Sequence, residues 1–149
     1  MTHKSITCLF VCAVIGFCGC KPRSCDIVVP NSFAGGIVVI EDPLAGTLPS
    51  HGSQQMLTVP PNGVVRVRTT PFVGAITLNA RRADGTPLIV TTRPYDDFRR
   101  DVGFRVCGRE CGDKVRCRDQ FFVGTAAELE SYDFNATFSS EIEMPRERK

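Results

Sequence analysis

The chain has 149 residues, a length that fits one domain with a core of its own. Its 18 Lys and Arg residues nearly balance its 16 Asp and Glu residues, and a net charge of +2 argues against a nucleic-acid partner. The 13 glycines, 10 prolines and 10 phenylalanines, with no tryptophan, favour short strands joined by tight turns and predict an all-β domain.

The first 19 residues have the pattern of an export signal. His3 and Lys4 form a short polar start, Ile6 to Phe17 is almost wholly apolar, and small or polar residues follow. This is the order of the charged, apolar and cleavage regions of a signal peptide. The apolar run is shorter than the roughly 20 residues that a membrane-spanning helix needs. We therefore predict that residues 1–19 are a signal peptide and that the protein is exported.

The end of this leader carries a lipid-attachment motif. Phe17-Cys18-Gly19-Cys20 resembles a bacterial lipobox, in which an aliphatic residue, a small residue and Gly or Ala precede the cysteine that is lipidated. The resemblance implies that Cys20 becomes the lipidated N-terminus, with residues 20–25 as a tether. It places the protein on a membrane of the bacterial cell envelope, facing the periplasm or the cell surface. The alternative is a plainly secreted, disulfide-bonded protein cut near Gly19.

Residues 26–138 are predicted to form a β-sandwich domain, because short β-type runs recur between turn residues. The run "GIVVIED" at 36–42 is apolar on both sides, which indicates a central, buried strand. "PNG" at 61–63 and "ADGT" at 83–86 are predicted hairpin turns. No crossover helix separates the runs, so a parallel sheet is not expected and we predict an antiparallel, Ig-like sandwich or a small barrel.

The end of the chain adds two more predicted strands and a helix. "GFRVC" at 103–107 and "QFFVG" at 120–124 have strand patterns on either side of a cysteine-rich connection. "TAAELESY" at 125–132 is predicted to be a short C-terminal helix, because Thr125 and Glu128 have the spacing of a capping box. Residues 139–149 are predicted to be a charged tail.

Three short motifs resemble a family of small domains of unknown function in bacterial lipoproteins. They are a Pro-x-x-Phe-x-Gly segment, a Val-Pro-x-Asn-Gly turn and a Phe-Val-Gly-Thr strand end. In this chain they fall on Pro30, Phe33 and Gly35, on Val59, Pro60, Asn62 and Gly63, and on Phe122 to Thr125. The resemblance implies a transthyretin-like or carboxypeptidase-regulatory-like β-sandwich, and the family has no established function to carry over.

Four cysteines lie beyond the leader and the proposed lipid site: Cys25, Cys107, Cys111 and Cys117. An even number in an exported chain favours two disulfides, and four cysteines allow three pairings. We prefer Cys107 with Cys117 and Cys25 with Cys111. A zinc site is the second possibility, although paired C-x2-C spacing is absent and nearby cations oppose it. Redox-active thiols at Cys107, Cys111 and Cys117 are the third.

We predict no catalytic residue, no metal and no cofactor. His51 is interpreted as a solvated loop residue without an orienting partner, and Asp96 and Asp97 as part of a salt-bridged surface loop. Gly35 and Gly36 precede a strand, so they do not form a phosphate cradle. The expected function is a non-enzymatic binding or structural module that meets an envelope protein or glycan through edge strands, the 93–100 loop and the cysteine loop. The alternative is an exported thiol-redox protein.

Overall fold

The computed structural model describes residues 23–92, 101–112 and 115–142, which form a two-sheet β-structure with two short helices. The predicted all-β class is confirmed. The strands are β1 (Arg23–Val29), β2 (Gly35–Glu41), β3 (Ser50–His51), β4 (Gln54–Thr58), β5 (Val64–Val67), β6 (Ile76–Arg82), β7 (Pro87–Leu88), β8 (Val90–Thr91), β9 (Gly103–Gly112) and β10 (Val115–Gly124). The helices are α1 (Ala126–Glu130) and α2 (Phe134–Ile142).

The strands form two five-stranded sheets that pack face to face. Sheet A has the order β3-β4-β1-β6-β7, and sheet B has the order β5-β2-β10-β9-β8. Ile27 and Leu57 of sheet A and Val39 and Phe121 of sheet B belong to one buried cluster between the sheets. Residues on β1 alternate between buried and partly exposed positions, as expected when one face of a strand meets the core.

The sheets are mixed, so the predicted antiparallel pairing is wrong for half of the strand pairs among the described residues. β1 runs parallel to β4 and β6, β2 to β5, and β8 to β9. From β1 to β6 the chain visits the sheets in the order A, B, A, A, B and A. Passing through the other sheet returns the chain to its starting sheet in the original direction, so the parallel pairs β1–β4, β1–β6 and β2–β5 arise without crossover helices. Pairing is antiparallel for β2–β10, β9–β10, β3–β4 and β6–β7.

The two predicted hairpin turns have different outcomes. At 61–63 the turn forms, with Gly63 N donating to Pro60 O at 3.0 Å and Gly63 at a φ of 74°. It connects β4 in sheet A to β5 in sheet B, however, so these strands do not pair. The turn at 83–86 closes a true hairpin, in which Arg81 of β6 lies opposite Pro87 of β7.

Both helices pack on the outer face of sheet B. α1 begins as predicted, because Thr125 Oγ1 accepts from Glu128 N and the Glu128 carboxylate accepts from Thr125 N. The ring of Tyr132, after α1, lies 5.1 Å from that of Phe122 and 4.9 Å from that of Phe134, measured between centroids. These aromatic rings cover the outer face near the start of β2 and the end of β10, where Gly36 lies opposite Phe122.

α2 was not predicted, and it crosses the boundary between the expected domain and its tail. The Asp133 carboxylate caps its first turn by accepting from Asn135 N at 2.9 Å and Ala136 N at 3.0 Å. Phe138 is buried against Val38 and Ile40 of β2. The packing of this aromatic residue explains why regular structure continues past residue 138.

The domain also begins earlier than the predicted boundary at residue 26. β1 starts at Arg23, inside the range assigned to the tether, and Cys25 is fully buried between the sheets.

None of the helices in the described ranges is long and apolar enough to cross a membrane.

Candidate functional site

The two sheets differ in how their outer faces are covered. The described helices lie on β2 and β10 of sheet B. On sheet A, outward-facing side chains of β4 and β6 are exposed to solvent: Gln54, Met56, Thr58, Thr77 and Asn79. We call the outer surface of β1, β4 and β6 the open face.

Asp26 lies at the centre of the open face and is held by two side-chain amides. In the strand register it lies between Met56 of β4 and Asn79 of β6. Its Oδ1 accepts from Asn79 Nδ2 at 2.9 Å, and its Oδ2 accepts from Gln54 Nε2 at 2.7 Å. Each amide group also has an oxygen that can accept a hydrogen bond from a ligand. Three neighbouring strands thus contribute one fixed polar array.

A shallow depression of about 290 Å³ adjoins this array at the β3–β4 edge. Its lining combines hydroxyl, imidazole, amide and carboxylate groups with the apolar Pro49 and Met56 side chains. Besides those two, the lining residues are Asp26, Ser50, His51, Gln54 and Gln55. Its volume is close to the lower limit of about 300 Å³ for small-ligand sites.

The cysteines pair differently from our preference. The structure contains one disulfide in the described residues, between Cys111 and Cys117, whose Cα atoms are 4.2 Å apart. The preferred Cys107–Cys117 and Cys25–Cys111 bonds are wrong. The register of β9 with β10 explains the pairing, because Glu110 lies opposite Arg118 and so brings the flanking Cys111 and Cys117 together.

The other two cysteines have free thiols in different surroundings. Cys25 is enclosed in the core, where burial and the neighbouring Asp26 charge raise its pKa to about 12. Cys107 is exposed as a whole residue, at an irregularity in β9 next to Gly108. Atoms packed around its thiol nevertheless raise its pKa to about 11 through desolvation, against the opposing charge of Arg105. Neither group has the low pKa of an activated thiol.

A buried polar network lies inside the sandwich next to the disulfide, and sequence analysis missed it. Asp119 is only 4% exposed and its Oδ2 accepts from Thr70 Oγ1 at 2.6 Å. Arg109 bridges Asp119 at 3.4 Å and Glu41 at 3.1 Å. Burial raises the pKa of Asp119, and Glu41 acts in the same direction, whereas Thr70 and Arg109 lower it. The alternation of residues along β10 could have indicated that Asp119 is buried, because Asp119 lies on the same face of the strand as Phe121 and Val123.

A buried arginine links α2 to sheet B on the other side of β10. Arg118 is 2% exposed, and its Nη2 donates to Glu110 Oε2 and to Asn135 Oδ1, both at 2.6 Å. This contact links the hairpin of β9 and β10 to the first turn of α2. We interpret both networks as structural, since they fix elements that surround them.

Several other predicted features can be placed. His51 is exposed in β3 at the rim of the depression, and Gly36 lies under the ring of Tyr132 rather than in a phosphate cradle. No group of three or more potential metal ligands occurs among the described residues. Cys20, Asp96 and Asp97 lie outside those residues.

Comparisons with known proteins add little to this geometry. No protein-family model matches the chain, and no curated protein matches it. Among solved structures, the fold is similar to a putative lipoprotein from Bacillus anthracis, with a TM-score of 0.44, 15% identity and coverage of 85% of each chain. Similarity at this level carries no inference about function. The transthyretin-like family resemblance stays a prediction.

Proposed function

We propose that the protein is a non-enzymatic lipoprotein of the bacterial cell envelope, exported by residues 1–19 and anchored through a lipid on Cys20. The leader and its lipobox-like motif support export and anchoring. The observation that supports a binding role is the open face, where a fixed polar array and a depression adjoin each other. Sheet B offers no comparable surface among its described residues, because helices cover the centre of its outer face.

The chemistry of the open face fits a ligand rich in hydroxyl groups, such as an envelope glycan. Asp26, Gln54 and Asn79 combine acceptors and donors in a fixed arrangement, which suits the paired hydroxyl groups of a sugar. The exposed thioether of Met56 offers an apolar surface beside them. Because the strands already hold these side chains in place, little conformational entropy is lost on binding.

Binding to the open face can be tested by NMR titration of the soluble Cys20→Ser chain with peptidoglycan fragments. We expect chemical-shift changes concentrated in β1, β4 and β6, and weaker binding by Asn79→Ala. Ser139→Ala, at an exposed position on α2, serves as the matched control and should bind normally. Shifts confined to sheet B, or equal affinity of both variants, would contradict the glycan site. If cross-linking at the open face captures a protein and not a glycan, the ligand of this face is a protein and the glycan proposal is wrong.

Anchoring can be tested separately by fractionating cells that express the full chain or its Cys20→Ser variant. We expect the full chain in the detergent-soluble membrane fraction and the variant free of it. Equal distribution of both proteins would show that Cys20 does not carry the anchor.

The thiol-redox alternative lacks a free thiol with a lowered pKa among the described residues. It needs an accessible thiol with a low pKa beside a disulfide. In the structure the pKa of Cys107 is raised, and this residue lies four positions before Cys111 in the same extended strand. Reductase activity that is lost in a folded Cys107→Ser variant would restore the alternative.

A further inference from the structure

We propose that one end of the sandwich is a membrane-contact surface, formed by the loops at 42–49 and 68–75 and seated on lipid headgroups. We call it the tether end, because β1 begins there. This inference rests on the proposed anchoring through Cys20. It specifies how the domain is oriented on the membrane, which anchoring alone does not determine.

The short link between Cys20 and the fold limits how far the domain can move from the membrane. β1 starts at Arg23, only three residues beyond Cys20. Even a fully extended chain spans at most about 11 Å over three residues. A lipid on Cys20 therefore keeps Arg23 within that distance of the headgroups. The part of the sandwich around Arg23 must face the membrane.

Hydrogen bonds place the two loops beside Arg23. Arg23 Nη2 donates to Val73 O at 2.6 Å, which joins the start of β1 to the 68–75 loop. Arg68 N donates to Gly46 O at 3.0 Å, which joins that loop's first residue to the 42–49 loop. Since β2 and β5 are parallel, the loops that follow them leave the sandwich at the same end.

Each of these two loops presents an exposed apolar side chain. Leu44 is 95% exposed and Val73 is 56% exposed. The exposed Arg68 lies between the loops and can meet lipid phosphates, while the carboxylate of Asp42 is paired with Arg66 at 3.5 Å. Apolar side chains next to cations are the combination that enters the interface of an anionic membrane.

The opposite end of the sandwich provides an internal control. Val102 is 49% exposed and precedes Gly103, which lies opposite Gly124 where β10 ends. The length of β1, seven residues at about 3.3 Å each, puts this end roughly 20 Å from the tether end. A membrane that touches Leu44 cannot also touch Val102 when the domain stands on its tether end.

The absence of tryptophan from the chain makes a direct test possible. Leu44→Trp, Val73→Trp and Val102→Trp each introduce a single fluorescent reporter at an exposed position. The lipidated full chains are reconstituted in vesicles of phosphatidylethanolamine and phosphatidylglycerol with brominated acyl chains, which quench nearby tryptophan. We expect the Leu44→Trp and Val73→Trp emission to shift to the blue and to lose most of its intensity. The Val102→Trp emission should be unchanged.

The outcomes separate this inference from the proposed function. If the protein floats with the vesicles but neither tether-end reporter is quenched, the contact surface is refuted and the anchor stands. Equal quenching of Val102→Trp would refute the orientation. If no variant floats with the vesicles, the anchor fails and this inference fails with it. Circular dichroism of each variant verifies that its β-structure is intact.

Discussion

Replacing Gly36 by alanine should destabilise the fold through a single contact, the ring of Tyr132. A Cβ atom on Gly36 would lie 2.5 Å from Tyr132 Cε1 and 2.7 Å from its Cζ and Oη atoms. The ring cannot retreat easily, since Phe122 and Phe134 pack on it. Overpacking of this kind costs about 1–3 kcal/mol, and the lower entropy of the unfolded alanine chain returns about 0.4–1 kcal/mol. We expect a net loss of about 1–2 kcal/mol.

Urea unfolding followed by circular dichroism measures this loss in the soluble chain. Gly46→Ala is the matched control, because a Cβ there meets nothing within 4 Å, and its stability should be unchanged or slightly higher. In a Tyr132→Ala background the penalty of Gly36→Ala should nearly vanish, which isolates the contact by a double-mutant cycle. A penalty of equal size in both backgrounds, or none in either, would refute the reasoning.

Three further predictions concern the thiols, the disulfide and the buried carboxyl group. In the native soluble chain, Ellman's reagent should react with Cys107, and with Cys25 only after unfolding; rapid reaction of both would contradict the burial of Cys25. Replacing Cys111 and Cys117 together by serine should lower the free energy of unfolding by about 2 kcal/mol, given the short loop that the disulfide closes; unchanged urea midpoints would refute this. Because burial raises the pKa of Asp119, the folded state binds its proton more tightly than the unfolded state. Stability should fall as pH rises from the usual carboxyl pKa through the raised one, and Asp119→Asn should remove that slope; an identical slope in the variant would contradict it.

Local features of the fold could be predicted because their causes lie within a few residues. The buried "GIVVIED" strand, the Asp84-Gly85 hairpin and the Thr125 capping box are each determined by neighbouring residues, and the structure has all three. α2 had a local signal as well, in the capping Asp133 and the spacing of Phe134 and Phe138 on one face. That helix was missed because the segment is rich in Ser, Thr and Asn, which favour loops.

Apart from the β6–β7 hairpin, strand partners could not be predicted, because the alternation of residues determines the two faces of a strand but not its neighbours. The turn at 61–63 illustrates this limit. Its residues indicate a tight turn whether it joins two strands of one sheet or crosses between sheets. The same limit applies to the disulfide, since the opposition of Cys111 and Cys117 depends on the register of β9 and β10.

The candidate open face was also beyond sequence reasoning. Gln54 follows Asp26 by 28 positions in sequence and Asn79 follows it by 53, and parallel pairing of β4 and β6 with β1 brings the three side chains together. On a domain that stands on its tether end, the open face forms a side wall. Its ligand could then approach parallel to the membrane surface, so both proposals are sterically compatible.

The anchoring that we propose, through a lipid on Cys20, is tested most directly by the intact mass of the mature protein. Protein extracted from membranes with detergent should have the mass of a chain beginning at Cys20 plus a diacylglyceryl group, with or without a further acyl chain on the new N-terminus. Mild alkaline hydrolysis should remove the ester-linked acyl chains. An unmodified chain beginning near residue 20, recovered without detergent, would contradict the account.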